Sequence, residues 1–186
     1  MERTAERNVA YKICVVALAI CINLVGGQIA LFLKLPIYLD SSGTVFIAAV
    51  LGPFYGMIPN VISGILLGMT VDIYSLYNAP VGNILALVTG LVYKKYQPKK
   101  WWILLAAVVI TLPSTIVSSC ITAFLFGGIT SSGSSLIVQL LSRTPLGMVG
   151  SCFVVQFLTD YLDRVICLYV VAVLTKTLHK YIGERF

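Results

Sequence analysis

The sequence predicts an all-α membrane protein, a six-transmembrane-helix bundle with its N and C termini cytoplasmic, and three observations predict it. Hydrophobic residues make up 59% of the 186 residues and charged ones only 11%, with a mean hydropathy of +0.96. A soluble chain needs more polar surface than that to face water. The apolar residues fall in runs long enough for helices to cross a hydrocarbon core about 30 Å thick, which takes about 20 residues each. The basic residues sit at the edges of those runs. Arg3, Arg7 and Lys12 precede the first, Lys94, Lys95, Lys99 and Lys100 fill one short connection, and Lys176, Lys180 and Arg185 follow the last. This is the pattern of the positive-inside rule, and it puts ten of the thirteen Lys and Arg residues on the cytoplasmic side. Lys34, Arg143 and Arg164 fall on the other.

The elements follow in order. The first helix runs from Ala10 to Leu33, too long for a cleaved signal sequence, and Pro36 closes it before an extended stretch, Ile37 to Asp40. A short second helix spans Ser42 to Leu51. Gly52-Pro53-Phe54-Tyr55-Gly56 reads as a tight turn, and a third helix follows to about Met69. Val71 to Pro80 carries Asp72, Tyr74, Tyr77 and Asn78, which makes it a loop at a membrane surface. The fourth helix covers Val81 to about Tyr93. The fifth opens at Trp101 and Trp102, where indoles favour the interface, and reaches Phe126 through Pro113, with Ser114 and Thr115 available to satisfy the freed backbone groups. Gly127 to Phe157 reads as a re-entrant or surface segment around the short apolar piece Leu136 to Leu141. The last helix spans about Phe157 to His179. Residues 1–186 thus form one transmembrane domain.

The net charge of +6 does not indicate nucleic acid, because the basic residues form no stripe and do not interleave with aromatics. Cys14, Cys21, Cys120, Cys152 and Cys167 form no Cys-x-x-Cys pair, so packing is their expected role, and no metal or other cofactor is expected. A nucleophile with its base, a metal cluster and a phosphate-binding loop are all missing, so the chain reads as no enzyme. His179, the only histidine, lies between Lys176 and Lys180 as an interfacial residue.

Polar and aromatic groups gather in the three outward segments. Lys34, Tyr38 and Asp40 lie in the first, Asp72, Tyr74, Tyr77 and Asn78 in the second, and Arg143 with Asp160, Asp163 and Arg164 in the third. Ionisable groups at membrane depth are costly and mark a substrate path or a pair, so an outward-opening pocket is one reading. The other is solvated loop residues and helix caps, with Asp40 capping the second helix. Small residues give a second signal. Gly56, Asn60, Gly64 and Gly68 recur every four positions on the third helix, and Ala17 with Cys21, then Gly26 with Ala30, repeat that spacing on the first. Such rows serve either internal packing or a partner.

Leu35-Pro36-Ile37-Tyr38-Leu39-Asp40-Ser41-Ser42-Gly43-Thr44, followed by Leu51-Gly52-Pro53-Phe54-Tyr55-Gly56, resembles the substrate-binding S components of energy-coupling factor transporters. The resemblance implies six helices and a vitamin-like ligand taken from outside by the first, third and fifth loops with the last helix. It also implies a transmembrane coupling protein and two cytoplasmic ATPases as partners, and a prokaryotic plasma membrane. The family's contact to the coupling protein often uses Ala-x-x-x-Ala on the first helix, to which Ala17-x-x-x-Cys21 is similar. Tyr38 to Thr44 looks most like S components associated with cobalamin, with pantothenate, pyrimidine or nucleoside-like ligands open. Tyr38, Tyr74 and Tyr77 are candidates to stack on a flat ring, and Lys34 and Arg143 to meet negative groups. The rival from another class is a self-sufficient secondary transporter with an inward polar path through Asn23, Gln28 and Asn60. A small membrane enzyme or assembly factor is the remaining alternative.

Overall fold

In a computed structural model the chain is all helical. The structure describes residues 2–98 and 101–182, with side chains from 9–98 and 101–176. The side chains of Arg3, Arg7, Lys99, Lys100, His179, Lys180 and Arg185 lie outside the described residues. Eight helices follow one another among the described residues: α1 Glu2–Phe32, α2 Ser42–Leu51, α3 Pro53–Thr70, α4 Ile73–Tyr77, α5 Ala79–Tyr96, α6 Trp102–Phe126, α7 Ser135–Leu141 and α8 Gly147–Ile182. Val9–Phe32 and Trp102–Phe126 are each long and apolar enough to cross a membrane.

Helix ends follow local chemistry. Gly52, at φ +99°, alone makes the α2–α3 turn, and the chain is helical again at Pro53. The expected five-residue turn is therefore one residue, because proline at the first helical position loses no hydrogen bond. The expected loop of Val71 to Pro80 contains α4, capped by the Asp72 carboxylate through the Tyr74 N–H at 3.2 Å. In α6, Ser114 Oγ donates to the carbonyls of Thr111 at 2.8 Å and Ile110 at 3.3 Å, one turn around Pro113. The last helix starts at Gly147, ten residues before the expected Phe157. Its first turns carry glycine and serine, but Cys152 and Val155 bury there against Val138 of α7, and that packing outweighs weak propensity. The segment before it is a loop, a seven-residue helix and a turn, too short to span.

The main core lies between α2, α5, α6 and α8. Val45, Leu85, Ile103, Ala107, Ile110, Leu168 and Val171 are among its buried side chains. The small-residue row on α3 serves internal contacts: Gly56 meets Ala48 of α2, and Gly68 meets Leu76 of α4. Asn60 Nδ2 donates to the Ala79 carbonyl and to Asn83 Oδ1, both at 2.9 Å, and ties α3 to α5.

Two glycines position the future site. Gly26 lets the 33–41 connection fold back onto α1, since a Cβ there would lie 2.4 Å from the Leu39 carbonyl oxygen. Gly43 lets α2 lie directly on α1, where a Cβ would come within 2.9 Å of the Ala19 Cα and closer still to its carbonyl oxygen. Backbone atoms cannot yield as a flexible side chain does. Gly43→Ala is therefore expected to cost about 2–3 kcal/mol, the upper range for overpacking. A thermal melt in detergent checks it, and an unchanged midpoint would show that α1 and α2 are not held in this contact.

Candidate functional site

The connections 33–41, 71–78 and 127–134 meet at one end of the bundle. Hydrogen bonds lock them to one another. Ser131 Oγ donates to Asp72 Oδ2 at 2.8 Å, and Ser132 Oγ donates to the Leu35 carbonyl at 3.2 Å. Below them lies a polar cavity of about 90 Å³, lined from the connections by Tyr38, Asp40, Ser41, Asp72 and Tyr74. Asn60 and Ser63 of α3, Ser114, Ser118 and Thr122 of α6, and Asp160 and Arg164 of α8 complete much of its wall. That volume holds about three waters, and because the cavity is not sealed a guest can extend beyond it through its open side.

Each polar wall group has a reason for its position. Ser114, Ser118 and Thr122 recur every four residues and so share one face of α6. Thr115 Oγ1 on the neighbouring face donates to Asp160 Oδ2 at 2.8 Å, and Gln156 Nε2 donates to Thr122 Oγ1 at 2.8 Å, so α8 is registered on α6 above and beside the cavity. Arg164 pairs with Asp163 at 3.3 Å, and its Nη1 also donates to Ser41 Oγ. Ser41 Oγ in turn lies 3.4 Å from Asp163 Oδ2, which ties the start of α2 to α8. Asp72 accepts from the Tyr74 N–H, Ser75 Oγ and Ser131 Oγ, so its carboxylate is held by three donors.

Two groups in the 33–41 connection titrate unusually. Burial pushes the Tyr38 hydroxyl up to about 12, against hydrogen bonds to Thr130 and Ser132 that lower it, so it is a neutral phenol at physiological pH. Burial pushes the Asp40 carboxyl up to about 7; Asp163 and Asp160 add to that and Arg164 opposes it. Asp40 makes no cap for α2, whose N-cap is Ser41, its hydroxyl bonded to α8 and not to the α2 backbone.

Tyr38, Asp40, Asp72, Tyr74, Asn78, Asp160 and Arg164 of the sequence-predicted site are thus brought together around one cavity. Three others stand elsewhere. Lys34 is exposed at a left-handed turn, φ +49°. Tyr77 is exposed and packs edge-on against Phe126, with ring centroids 5.4 Å apart. Arg143 is exposed in the turn after α7. Neither basic residue lines the cavity, so the expected contacts from Lys34 and Arg143 to negative ligand groups have no support from their positions. Ala17 and Cys21 are both exposed on α1. The sequence reading missed Ser41, Ser63, Ser118 and Thr122 as wall residues. For the α6 pair, the four-residue spacing with Ser114 was the available signal.

Comparison with protein-family models, with curated proteins and with solved structures finds no match to this chain.

Proposed function

We propose that this chain is the membrane-embedded substrate-binding subunit of an energy-coupling factor importer, crossing the bilayer with six helices and both termini cytoplasmic. The observation that carries the reading is a polar-walled cavity at the loop end of a bundle whose outside is apolar. On α1 alone, Val9, Ile13, Leu18, Ile22, Val25, Ile29 and Phe32 are exposed, a surface suited to hydrocarbon and not to water. Beyond the cavity the bundle closes on the apolar cluster of Val45, Ile103, Ile110 and Leu168. Asn23 and Asn60, candidates for an inward polar path, spend their amides on bonds between helices. A pocket closed at its inner end captures ligand and needs a second machine to release it inward.

That machine is a transmembrane coupling protein with two cytoplasmic ATPases, docking where exposed Ala17 and Cys21 allow close approach on α1. The cargo is a vitamin-like small molecule. Pockets for drug-sized ligands start at about 300 Å³, so a cavity of about 90 Å³ favours a single-ring ligand over one of cobalamin's size. Co-expression of a tagged chain with a coupling protein and its ATPases tests the proposal. A stoichiometric complex is expected from the parent and its loss from Ala17→Trp. A parent chain that purifies alone, and in liposomes accumulates solute under an ion gradient without ATP, would replace this reading with that of a self-sufficient transporter.

A further inference from the structure

Accepting the cavity as the ligand site, its wall carries more information than its volume. Three carboxylates line it, Asp40, Asp72 and Asp160, against one guanidinium, Arg164. That guanidinium is already committed to Asp163 at 3.3 Å. The wall is therefore net negative, and Lys34 and Arg143, both exposed away from it, do not redress the balance.

Three polar groups on the wall also lack partners among the described residues. The Asp40 carboxylate accepts no hydrogen bond from another residue, whereas Asp72 has three donors and Asp160 is held by Thr115. Asn78 Oδ1 is buried without a donor, while its Nδ2 donates to the Tyr74 carbonyl at 3.0 Å and holds the amide in place. Arg164 is only 8% exposed, and its Nε–H has no acceptor. Asn78 Oδ1 and Arg164 Nε are buried atoms left unpaired, and such groups cost more than a formed hydrogen bond contributes, while the half-buried Asp40 carboxylate is free to accept from a guest. Two acceptors and one donor on one cavity wall describe the complement of a guest with two donors and one acceptor. Tyr38 and Tyr74 lie on the same wall and add aromatic rings, that of Tyr74 held edge-on against Phe126 with centroids 4.6 Å apart.

We propose that the cavity takes a small flat cation, a single-ring nitrogen heterocycle that bears a positive charge, N–H donors for Asp40 and Asn78, and an acceptor for Arg164 Nε–H. The positive charge offsets the surplus carboxylates, and the tyrosine rings favour a cationic ring over a neutral one. This rests on the cavity being the binding site of the proposed importer, and it adds the chemistry of the cargo. The titratable groups facing Asp40 are Tyr38 on its own connection and Asp160, Asp163, Arg164 and the Cys167 thiol on α8. With its carboxyl pushed up to about 7, chiefly by burial, Asp40 is protonated as pH falls through neutrality and loses its attraction for a cation.

Calorimetry on the purified full chain in detergent tests this with three probes of one shape: 1-methylnicotinamide, a cation with an amide, 3-methylbenzamide, its uncharged counterpart, and 3-methylbenzoate, an anion. The cation is expected to bind about tenfold or more tighter than the neutral amide, as a charge-assisted contact requires. Asp40→Asn should narrow that gap to about threefold or less, with the melting temperature reporting whether the variant is folded. On the parent chain, cation affinity should fall about tenfold from about pH 8 to about pH 6, while neutral-amide affinity stays nearly constant. A preference for the amide or the benzoate, a flat pH profile for the cation, or binding of none of the three overturns the proposal. If benzoate binds best, the charge assignment fails and the importer reading stands. If the cation binds and no complex with the ATPases forms, the importer reading fails and this one stands.

Discussion

Asn23→Leu is expected to lower the stability of the chain by about 2–4 kcal/mol, measured by unfolding in mixed micelles, because one side chain satisfies groups on two other helices. Asn23 is fully buried in α1. Its Nδ2 donates to Thr44 Oγ1 of α2 at 2.9 Å and to Ser63 Oγ of α3 at 3.5 Å, and its Oδ1 accepts the Gly43 N–H at 2.8 Å. The first N–H groups of a helix have no partner within it. Ser41, the N-cap of α2, provides no side-chain acceptor. Asn23 therefore caps α2 from another helix, and leucine leaves the Gly43 N–H stranded in a site where water cannot replace the amide. Side-chain bonds between membrane helices contribute only about 0.6 kcal/mol on average, so most of the loss is assigned to the backbone group. Thr44→Val, which removes one side-chain bond and keeps the cap, should cost less than about 1 kcal/mol. Equal losses from the two variants would refute the capping role.

Where local chemistry decides an element, the sequence and the structure agree. The second helix, Ser42–Leu51, ends at the residue before Gly52-Pro53, and the fifth expected helix closes at Phe126, before two glycines at positive φ. Disagreement comes where distant packing decides. Gly147, Gly150 and Ser151 argue locally against a helix start, and only the burial of Cys152 and Val155 against Val138 makes one. The same division runs through the site. Asp40, Asp160 and Arg164 stood out because ionised groups among apolar runs demand a partner or a ligand. Lys34 and Arg143 carried the same signal and lie outside the cavity, since polarity along a chain does not reveal which way a side chain points. Ser114 and Thr115 read, beside Pro113, as local repair of the helix, and that reading hides the four-residue spacing of Ser114, Ser118 and Thr122. Ser131 bridging to Asp72 across 59 positions had no local signature at all.

Arg164→Leu is expected to cost about 3–5 kcal/mol, the largest loss from any single change in the cavity wall, because it strands buried carboxylates. Asp163 is 2% exposed, and besides Ser41 Oγ and the weakly polar Cys167 thiol it has, among the described residues, only this guanidinium. Asp40 and Asp160 face the same charge. A buried ion pair adds little net stability over a well-packed apolar pair, whereas half of one is strongly destabilising. Asp163→Leu combined with Arg164→Leu should therefore recover part of the loss, giving a coupling of about 1–3 kcal/mol in a double-mutant cycle. Recovery should be incomplete, since Asp40 and Asp160 still face the site without their counter-charge and Ser41 loses its partners on α8. Arg164→Lys separates charge from geometry. Lysine keeps the positive charge but lacks the planar set of donors that serves Asp163, Ser41 and a ligand acceptor at once. Its stability should fall between parent and leucine, while binding of 1-methylnicotinamide drops by about tenfold, as expected for one charge-assisted hydrogen bond. Additive losses from the single changes would mean that Asp163 and Arg164 act independently. The guanidinium would then owe its place to the ligand and not to its neighbour.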